Sequence, residues 1–362
     1  MKILHRYILS QWLRNLTICL IAVTFLFTLI DFFDRIDNIV EEEASWVLTV
    51  MYFLYKIPLT VHLMLPVAVL VATMFTIGML SKNSEITAMR SSGVTLFWLA
   101  RPLLFVGLIL SLASIVFNET VVPYCSRKSS EIYNLDIKKK NESGSYSKEN
   151  FWWRDKNTFY SFDMFDSRKN ELVNFSRFNI DSGFNIEERT ESPKVKWLDQ
   201  NLGWNMKDVV KYDFADDGGI AEKETYSLPL PIEQTPRYFY DVELKPEVMG
   251  FFALKKYMKA LKKDGISIEE YKADLRAKFS FPFINFICIL IALPFALKGS
   301  RSGGMAFSFL TGITIGFGYY FIHSFAIALG RAELLNPMVA AWSANLLLGF
   351  VGLVLNWGAE AP

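Results

Sequence analysis

Apolar residues in this chain are concentrated in six long blocks, separated by polar segments of unequal length. A helix of about 20 apolar residues crosses a bilayer, so blocks of this length predict six membrane spans. The first block is short, but Phe32 and Phe33 extend it as a helix that leaves the membrane unbroken. The blocks cover approximately residues 15–30, 57–80, 93–118, 279–297, 302–330 and 334–358.

The pattern divides the chain into four parts. It predicts a six-helix membrane protein with an all-β domain inserted between the third and fourth spans. The parts are an N-terminal half with spans one to three, a β-domain, a helical re-entry segment and a C-terminal half, over residues 1–118, 119–248, 249–278 and 279–362.

The orientation of the spans follows from the short loops. Lys and Arg prefer the cytoplasmic side, and they are enriched in residues 1–16, 81–101 and 298–304. Residues 31–46, in contrast, hold Arg35 against six carboxylates. Both termini are therefore expected in the cytoplasm, and the β-domain outside.

The first residues predict an amphipathic start. Ile3, Tyr7, Ile8 and Leu13 can lie on the membrane while Lys2 faces water. We expect this segment to anchor the first span at the membrane surface.

The region from 151 to 228 carries short runs of aromatic and β-branched residues between turn residues. Seven or eight strands at this spacing predict a sandwich or a barrel. Its interior is either filled by side chains or open to an acyl chain, and the pattern does not separate these alternatives. Cys125 is the only thiol outside the spans, so no disulfide within the chain stabilises this domain.

Two helices are predicted before the fourth span, over residues 249–261 and 267–278. The second helix is rich in charge, which favours an exposed position at the membrane surface over a buried one. Its charged residues are Glu269, Glu270, Lys272, Asp274, Arg276 and Lys278.

A polar interval between spans two and three, residues 80–101, predicts a small helix at about 81–93. Ile86 and Met89 fall on one face, Glu85 and Arg90 flank it, and Gly93 can end it. A helix placed between two spans on the cytoplasmic side is suited to docking a soluble partner.

The fifth span carries a small-residue face made by Gly312 and Gly316, with Gly318 nearby. Such a face lets another helix approach closely. It forms either a seam that opens and closes or static packing within the bundle. His62 and His323 lack acidic partners in the sequence and are expected to be packed rather than to relay protons.

The sequence lacks the motifs of several enzyme classes. It has no P-loop, no HExxH motif and no zinc-type spacing of its three histidines and three cysteines. The net charge of +1 gives no indication of nucleic-acid binding. We therefore expect neither catalysis nor a cofactor. The acidic outer end of span one, with Asp31 and Asp34, is either a divalent-cation site or a solvated helix end.

Two segments carry a resemblance to a known family. One is the motif SE-x-x-x-M-x-x-x-G, which runs here from Ser84 to Gly93. The other is the re-entry segment 251–297 with Pro282 and Pro294. Together with the order of spans and outer domain, they resemble the LptF/LptG permeases of lipopolysaccharide export across nearly the whole chain. The short charged start and the GSRSGG loop favour the LptG branch.

The resemblance implies a subunit of an ABC transporter in the bacterial inner membrane, with a jellyroll-like outer β-domain. It implies a homologous six-span partner (LptF-like), a cytoplasmic ATPase homodimer (LptB-like) and a periplasmic bridge (LptC/LptA-like), with lipopolysaccharide as cargo. Glu85, Met89, Arg90 and Gly93 would belong to the ATPase-coupling helix. Spans one and five would gate the lipid, which makes candidates of Phe32, Arg35, Gly312, Gly316 and Tyr320.

One departure from the family concerns the outer end of span one. Some members carry lysines there that meet lipid phosphates, whereas this chain has Asp31 and Asp34 with Arg35 as the expected sole nearby cation. A bridging divalent cation or the partner subunit would then have to compensate.

Two other functions remain open from the sequence. A membrane sensor would use the β-domain to bind a ligand, but it requires an output domain. A lipoprotein-releasing type of permease typically has four spans with the outer domain after the first, so the number of spans separates it from the export permease.

Overall fold

The structure is a computed structural model. It describes residues 2–137, 151–155, 157–166, 169–181, 183, 185–199, 202–214, 220–232, 234–236, 246–263, 267–302 and 304–360. The first part is helical, with α1 (Lys2–Glu41), α2 (Trp46–Lys82), α3 (Glu85–Ser91), α4 (Leu96–Glu131) and a π-helical turn at Ile132–Ile137. Helix α4 therefore continues well past residue 118, where the β-domain was predicted to begin.

The chain returns to helix after the sheet. A 3₁₀ turn (Pro246–Val248) precedes α5 (Phe251–Lys263) and α6 (Glu269–Ser280). A second 3₁₀ turn (Phe281–Phe283) leads into α7 (Ile284–Ser302), α8 (Gly304–Arg331) and α9 (Pro337–Glu360). Six of the described helical segments are long and apolar enough to cross a membrane, which confirms the predicted number of spans.

Helix α2 lies at the centre of the bundle. It packs against α1, α4, α7 and α8, and 67% of its most apolar window is buried, against 6% in α1. The core is a single cluster of aliphatic side chains from these helices, with Leu70, Met74 and Leu103 fully or almost fully buried. Helix α1 is therefore a peripheral helix that presents most of its apolar surface to the surrounding lipid.

One residue of the predicted membrane-facing set at the chain start, Ile8, is buried, and the others are exposed. Residues 2–14 form the first turns of α1 without a break, and Ile8 and Trp12 are completely buried in the bundle core. Ile3, Tyr7 and Leu13 remain exposed, at 86%, 41% and 43%, so the buried side of these turns is a different one, formed by Ile8 and Trp12.

The seven strands form one antiparallel sheet. Its order is β1-β2-β4-β5-β6-β7, and β3 pairs with β4 beside β2. The strands are β1 (Phe151–Asp155), β2 (Thr158–Phe162), β3 (Met164–Asp166), β4 (Glu171–Ile180), β5 (Ile186–Asp199), β6 (Gly203–Phe214) and β7 (Ile220–Leu230).

The sheet is curled around its own core. Phe165 on β3 and Trp204 on β6 have ring centroids 6.3 Å apart, although three strand spacings in a flat sheet cover about 14 Å. One row of paired residues, Leu172, Val195 and Met206, has no exposed surface. Side chains therefore fill the interior in this structure, which resolves the alternative that the sequence left open.

The re-entry segment is an antiparallel pair of helices. Phe251 lies against Phe279, with ring centroids 4.8 Å apart, and Tyr257 lies against Tyr271, at 5.6 Å. Burial in this contact raises the pKa of the Tyr257 phenol. Because Phe251 begins α5 and Phe279 is near the end of α6, the two helices run in opposite directions.

The prediction that the second re-entry helix is exposed is wrong. Asp274 and Lys278 are buried where α6 packs against α8 and α9. The Asp274 carboxylate accepts hydrogen bonds from Arg331 Nε at 2.9 Å and from Nη2 at 2.7 Å. The charged residues of α6 thus include a bidentate ion pair inside the structure, which a count of charges does not distinguish from a solvated face.

Candidate coupling helix and lipid-contact sites

Helix α3 ends at Gly93, as the sequence predicts. The φ angle of Gly93 is +82°, a conformation that glycine adopts without a steric cost. The Gly93 amide donates to Arg90 O at 2.9 Å, and the Val94 amide donates to Met89 O at 3.2 Å. These two bonds form a Schellman motif, which fixes where the helix stops and where α4 begins.

One face of α3 rests on the bundle. Ile86 is buried and Met89 is partly buried against the core cluster. The residues that face outward are Thr87, Ala88, Arg90 and Ser91. The coupling role of Met89 and Arg90 stays a prediction, but the structure shows that Met89 also holds α3 onto its own subunit.

Glu85 is held by two side chains of its own chain. Its Oε2 accepts a hydrogen bond from Tyr7 Oη at 3.0 Å, and its Oε1 accepts one from Asn83 Nδ2 at 3.3 Å. Glu85 is the first residue of α3, where a negative charge also interacts favourably with the helix dipole. Its carboxylate therefore has a defined position before any partner binds.

The first turns of α1 are attached to the C-terminal part of α2 and to the start of α4. The Trp12 indole donates to Thr73 Oγ1 at 2.9 Å, and Asn15 Nδ2 donates to Thr76 Oγ1 at 2.8 Å. The His5 ring lies 3.9 Å from the Trp98 ring, between centroids. These contacts, together with the Tyr7 bond to Glu85, join α1 to the interval that contains α3.

A polar cluster lies at the other end of the α1–α2 pair. Lys56 Nζ on α2 donates to both carboxylate oxygens of Asp31, at 2.6 and 2.5 Å. Arg35 Nε donates to Asp31 Oδ1 at 3.2 Å. The Arg35 guanidinium also lies over the rings of Tyr52 and Tyr133, at 5.6 and 4.7 Å from the centroids.

The expectation that Arg35 is the sole cation near Asp31 is wrong. Two cations, Arg35 and Lys56, surround the Asp31 carboxylate, and Asp34 also interacts electrostatically with Lys56, so the charges of these four side chains are balanced. Asp31 is consequently neutralised by its own chain, and no group of three or more metal-ligating side chains occurs in the described part of the chain. Phe32 lies beside this cluster, with its ring 5.6 Å from that of Phe53.

The sequence distances to the turn between α1 and α2 indicate that Lys56 can pair with Asp31. Asp31 and Lys56 are almost equally far from the turn that joins α1 and α2, so an antiparallel helix pair brings them to the same level. This inference requires that α1 and α2 pack as an antiparallel pair, which the structure shows.

The predicted gate residues of the fifth span face α2 of the same chain. A Cβ on Gly312 would lie 3.0 Å from Met74 Sδ, and one on Gly316 would lie 3.6 Å from Val67 Cγ2. The hydroxyl of Tyr320 donates to the carbonyl of Leu63. The structure thus shows close packing within the bundle for these residues, and their role in lipid entry stays a prediction.

The outward face of α8 is formed by large aromatic residues that sequence inspection passed over. Phe317, Phe321 and Phe325 recur every four residues and are each more than half exposed. Gly318 also lies on this side, with no atom within 4 Å of an added Cβ. The helical spacing of these phenylalanines is visible in the sequence, but only the glycines were predicted to form a functional face of this span.

The two histidines of the spans, His62 and His323, sit among side chains, as predicted. His62 Nδ1 lies 3.1 Å from Ser114 Oγ, and the His62 ring is 5.5 Å from that of Phe281. The His323 ring stacks on Tyr319 at 5.6 Å. Neither arrangement includes a carboxylate that would form a proton relay.

A six-span bundle with a curled sheet outside it and a fixed helix between spans two and three defines a multi-pass membrane transport subunit. The chain belongs to the lipopolysaccharide export system permease LptF/LptG family, whose model matches residues 6–357. As a permease subunit, it is not itself an enzyme.

Two curated relatives of this chain are named LptG, and the chain matches more than nine tenths of each. The chain is 23% identical to the lipopolysaccharide export system permease protein LptG of Escherichia coli K12 over 341 residues, which cover 94% of this chain and 93% of the relative. It is 21% identical to LptG of Haemophilus influenzae over 359 residues, or 98% and 97% of the two chains. These names agree with the preference for the LptG branch.

Proposed function

We propose that this chain is the permease subunit of an ABC transporter that extracts lipopolysaccharide from the bacterial inner membrane and passes it to a periplasmic bridge. The observation that carries the proposal is the position of α3. A short helix with an anchored carboxylate, Glu85, and an exposed face stands between two spans, where a soluble ATPase can push on the bundle.

The proposed assembly has the partners that family membership indicates. A homodimeric LptB-like ATPase binds α3 in the cytoplasm, and an LptF-like subunit completes the lipid cavity. An LptC/LptA-like bridge receives the lipid from the sheet. Both chain termini then lie in the cytoplasm and the sheet in the periplasm, as the distribution of Lys and Arg predicts.

Closure of the ATPase would move α3 and, through Tyr7, the first turns of α1. Because α1 is the least buried span, it is the helix whose displacement disturbs the fewest core contacts. This argument supports span one as one side of the lipid gate, with Phe32 and Arg35 near its outer end.

The Asp31–Arg35–Lys56 cluster supports lipid contact at that end. Its two cations, Arg35 and Lys56, can each donate hydrogen bonds to a phosphate of a glycolipid, and the side chains of the cluster are only 15–28% exposed. A partly buried cation gains more from a phosphate than a solvated one does, because water screens the attraction less.

The curled sheet would receive acyl chains only after its interior rearranges. Each methylene taken out of the bilayer into water costs about 0.8 kcal/mol, so transfer requires an apolar receiver. The side chains that now fill the interior, such as Phe175 and Trp204, would have to move apart. We therefore propose that loading and opening of the sheet occur together.

The first test is to purify the chain in mild detergent from its native host and to identify the accompanying proteins and lipids by mass spectrometry. We expect a P-loop ATPase, a second six-span subunit and a lipid A-bearing glycolipid. Recovery of the chain alone, under conditions that preserve other ATPase complexes, would argue against the proposal and favour a membrane sensor.

The second test replaces Glu85 by Ala. We expect loss of lipopolysaccharide export while the bundle keeps its thermal stability, because Glu85 lies at the surface of the core rather than in it. Glu224→Ala, on the exposed part of β7, is the matched control and should leave export unchanged. Normal export by Glu85→Ala would remove the coupling role.

A further inference from the structure

Helix α5 presents a row of lysines to solvent. Lys255, Lys256, Lys259 and Lys262 lie within two turns and all are exposed; they are called the lysine face below. No ion pair with a described residue involves any of the four, and Lys255 makes a cation–π contact with Phe251 at 6.0 Å. The lysine face is therefore a concentration of positive charge that the described part of the chain does not neutralise.

The start of α5 is fixed at the level where a membrane span ends. Glu119 follows directly after the apolar block 93–118 on α4. Its carboxylate accepts hydrogen bonds from the amides of Phe251 and Phe252, at 2.5 and 3.2 Å. The side chain of Phe252 is 71% exposed, so an aromatic ring points outward at the height of the membrane boundary.

The direction of α5 places the lysines above that ring. Because α5 runs antiparallel to α6, and α6 leads into the fourth span, α5 runs away from the bilayer. At 1.5 Å per residue, Lys255 and Lys256 lie about 5–6 Å beyond Phe252 along the helix. This is the thickness of the headgroup layer, which is roughly 5–8 Å on each side of the hydrocarbon core.

The lysine face also has a fixed orientation. Leu254 and Met258 are buried against Ile268, Tyr271 and Leu275. This packing turns the opposite side of α5 outward, so the lysines cannot rotate into the protein. The helix thus has an aromatic ring at the membrane boundary and Lys255 and Lys256 at the height of the phosphates, while Lys259 and Lys262 lie about 11 and about 15 Å beyond Phe252 and add positive charge above the headgroups.

We propose that the lysine face of α5 binds phosphate-bearing anionic lipid headgroups in the leaflet on the same side as the sheet. Charge complementarity and continuity with the end of α4 select a lipid occupant over a protein partner. The site depends only on the six spans, and not on the export reaction or on an ATPase.

The test uses the full chain in nanodiscs of phosphatidylcholine mixed with phosphatidylglycerol. The four lysines are replaced together by Gln, and native mass spectrometry after detergent release counts the phosphatidylglycerol molecules retained. Each lysine near an anionic surface is worth about fivefold in binding. We therefore expect at least a fivefold loss of retained phosphatidylglycerol, with phosphatidylcholine unchanged and the wild-type signal reduced by high salt.

Two matched variants make the result specific. In the first variant, four exposed lysines of the sheet are replaced by Gln: Lys194, Lys196, Lys207 and Lys223. This variant has the same net charge as the α5 Gln variant and should retain the lipid. Replacement of the α5 lysines by Arg keeps the charge and should also retain it. Circular dichroism and gel filtration establish that each variant is folded.

Several outcomes would overturn the proposal. These are an equal loss of phosphatidylglycerol in both Gln variants, no loss in the α5 variant, or a loss only of a bound acidic protein while lipid retention is unchanged. Because no nucleotide or partner is present, a negative result here leaves the export proposal untouched.

Discussion

The phenol of Tyr7 donates a hydrogen bond to Glu85 over 3.0 Å, which links the second turn of the most peripheral span to the first residue of α3. No local sequence relation brings these residues together, since they lie 78 positions apart. The contact means that α3 and α1 move as connected parts.

Replacing Tyr7 by Phe removes only the hydroxyl group. A single hydrogen bond contributes about 0.5–1.5 kcal/mol, so we expect hydrogen exchange of the α3 amides to accelerate up to about tenfold. Tyr124→Phe is the control, because Tyr124 is an exposed residue of α4. Unchanged protection of α3 in Tyr7→Phe would mean that the bond does not hold the helix.

The Asp31–Lys56 pair is expected to behave as one unit. Asp31→Asn leaves Lys56 and Arg35 close together without their shared carboxylate, whereas Lys56→Gln still leaves Asp31 with Arg35. Contacting residues in such a network typically show coupling of 0.5–3 kcal/mol. We expect a double-mutant cycle, measured by thermal unfolding in detergent, to give a coupling free energy in this range.

Additive effects of the two substitutions would contradict the geometry of the cluster. Lys128→Gln is a suitable reference, because its ion pair with Glu131 is within one helix and is about 40% exposed. Exposed pairs of this kind contribute little to stability.

The glycines of α8 should differ sharply in their tolerance of alanine. A Cβ on Gly330 would lie 2.7 Å from Ala340 Cβ and 2.9 Å from Ala273 Cβ, whereas one on Gly318 would meet nothing within 4 Å. We expect Gly330→Ala to destabilise the bundle by about 1–3 kcal/mol. Gly318→Ala should be neutral or stabilising by up to about 1 kcal/mol.

Gly312→Ala should fall between these two variants. Its nearest neighbour is the sulfur of Met74, which can move because it belongs to a flexible side chain. The melting temperatures of the three variants in one detergent provide the comparison, and an inverted order would show that α8 packs differently.

Gly250 is required for the cap on α5. A Cβ at this position would lie 2.8 Å from Glu119 Oε1, so Gly250→Ala would displace the carboxylate from the amides of Phe251 and Phe252. A lost helix cap costs about 0.5–2 kcal/mol. We expect Glu119→Ala and Gly250→Ala to have similar effects, and the double variant to be little worse than either one.

Hydrogen exchange of the first α5 amides measures this effect directly. Full additivity in the double variant would indicate that Gly250 and Glu119 act through separate contacts.

The core of the sheet depends on Trp204. This residue has no exposed surface, and its indole donates to Gln234 O at 2.6 Å. Trp204→Ala should destabilise the sheet by about 3–5 kcal/mol. Tyr226→Ala on β7, where the side chain is 81% exposed, should change stability by less than about 0.5 kcal/mol.

The sequence predicted the elements of this fold better than their contacts. The six spans, the strands and the helix at Glu85 follow from hydrophobic periodicity and from Gly93, because these signals are local. The positions of Ile8 and Asp274 did not follow, since an amphipathic face looks the same whether it meets lipid, water or another helix. Packing partners such as Lys56 opposite Asp31 require the helix pairing as well.

In the candidate sites, too, the sequence predicted individual residues better than the contacts between them. Glu85 was identified from a motif, but Tyr7 was not, because nothing near residue 85 indicates which distant residue reaches it. The glycines of the fifth span were predicted to form either a moving seam or static packing; in the structure Gly312 and Gly316 face α2, whereas Gly318 has nothing within 4 Å of an added Cβ.

The two sets of polar contacts between α1 and α2 fix α1 to its neighbour near both of its ends. Trp12 and Asn15 hold it at one end and Asp31 holds it at the other, while its central apolar stretch has no such bond to α2. Detaching the whole helix must break both sets of contacts. Bowing its middle outward breaks neither, so the easiest opening of this span is a flexure at mid-membrane.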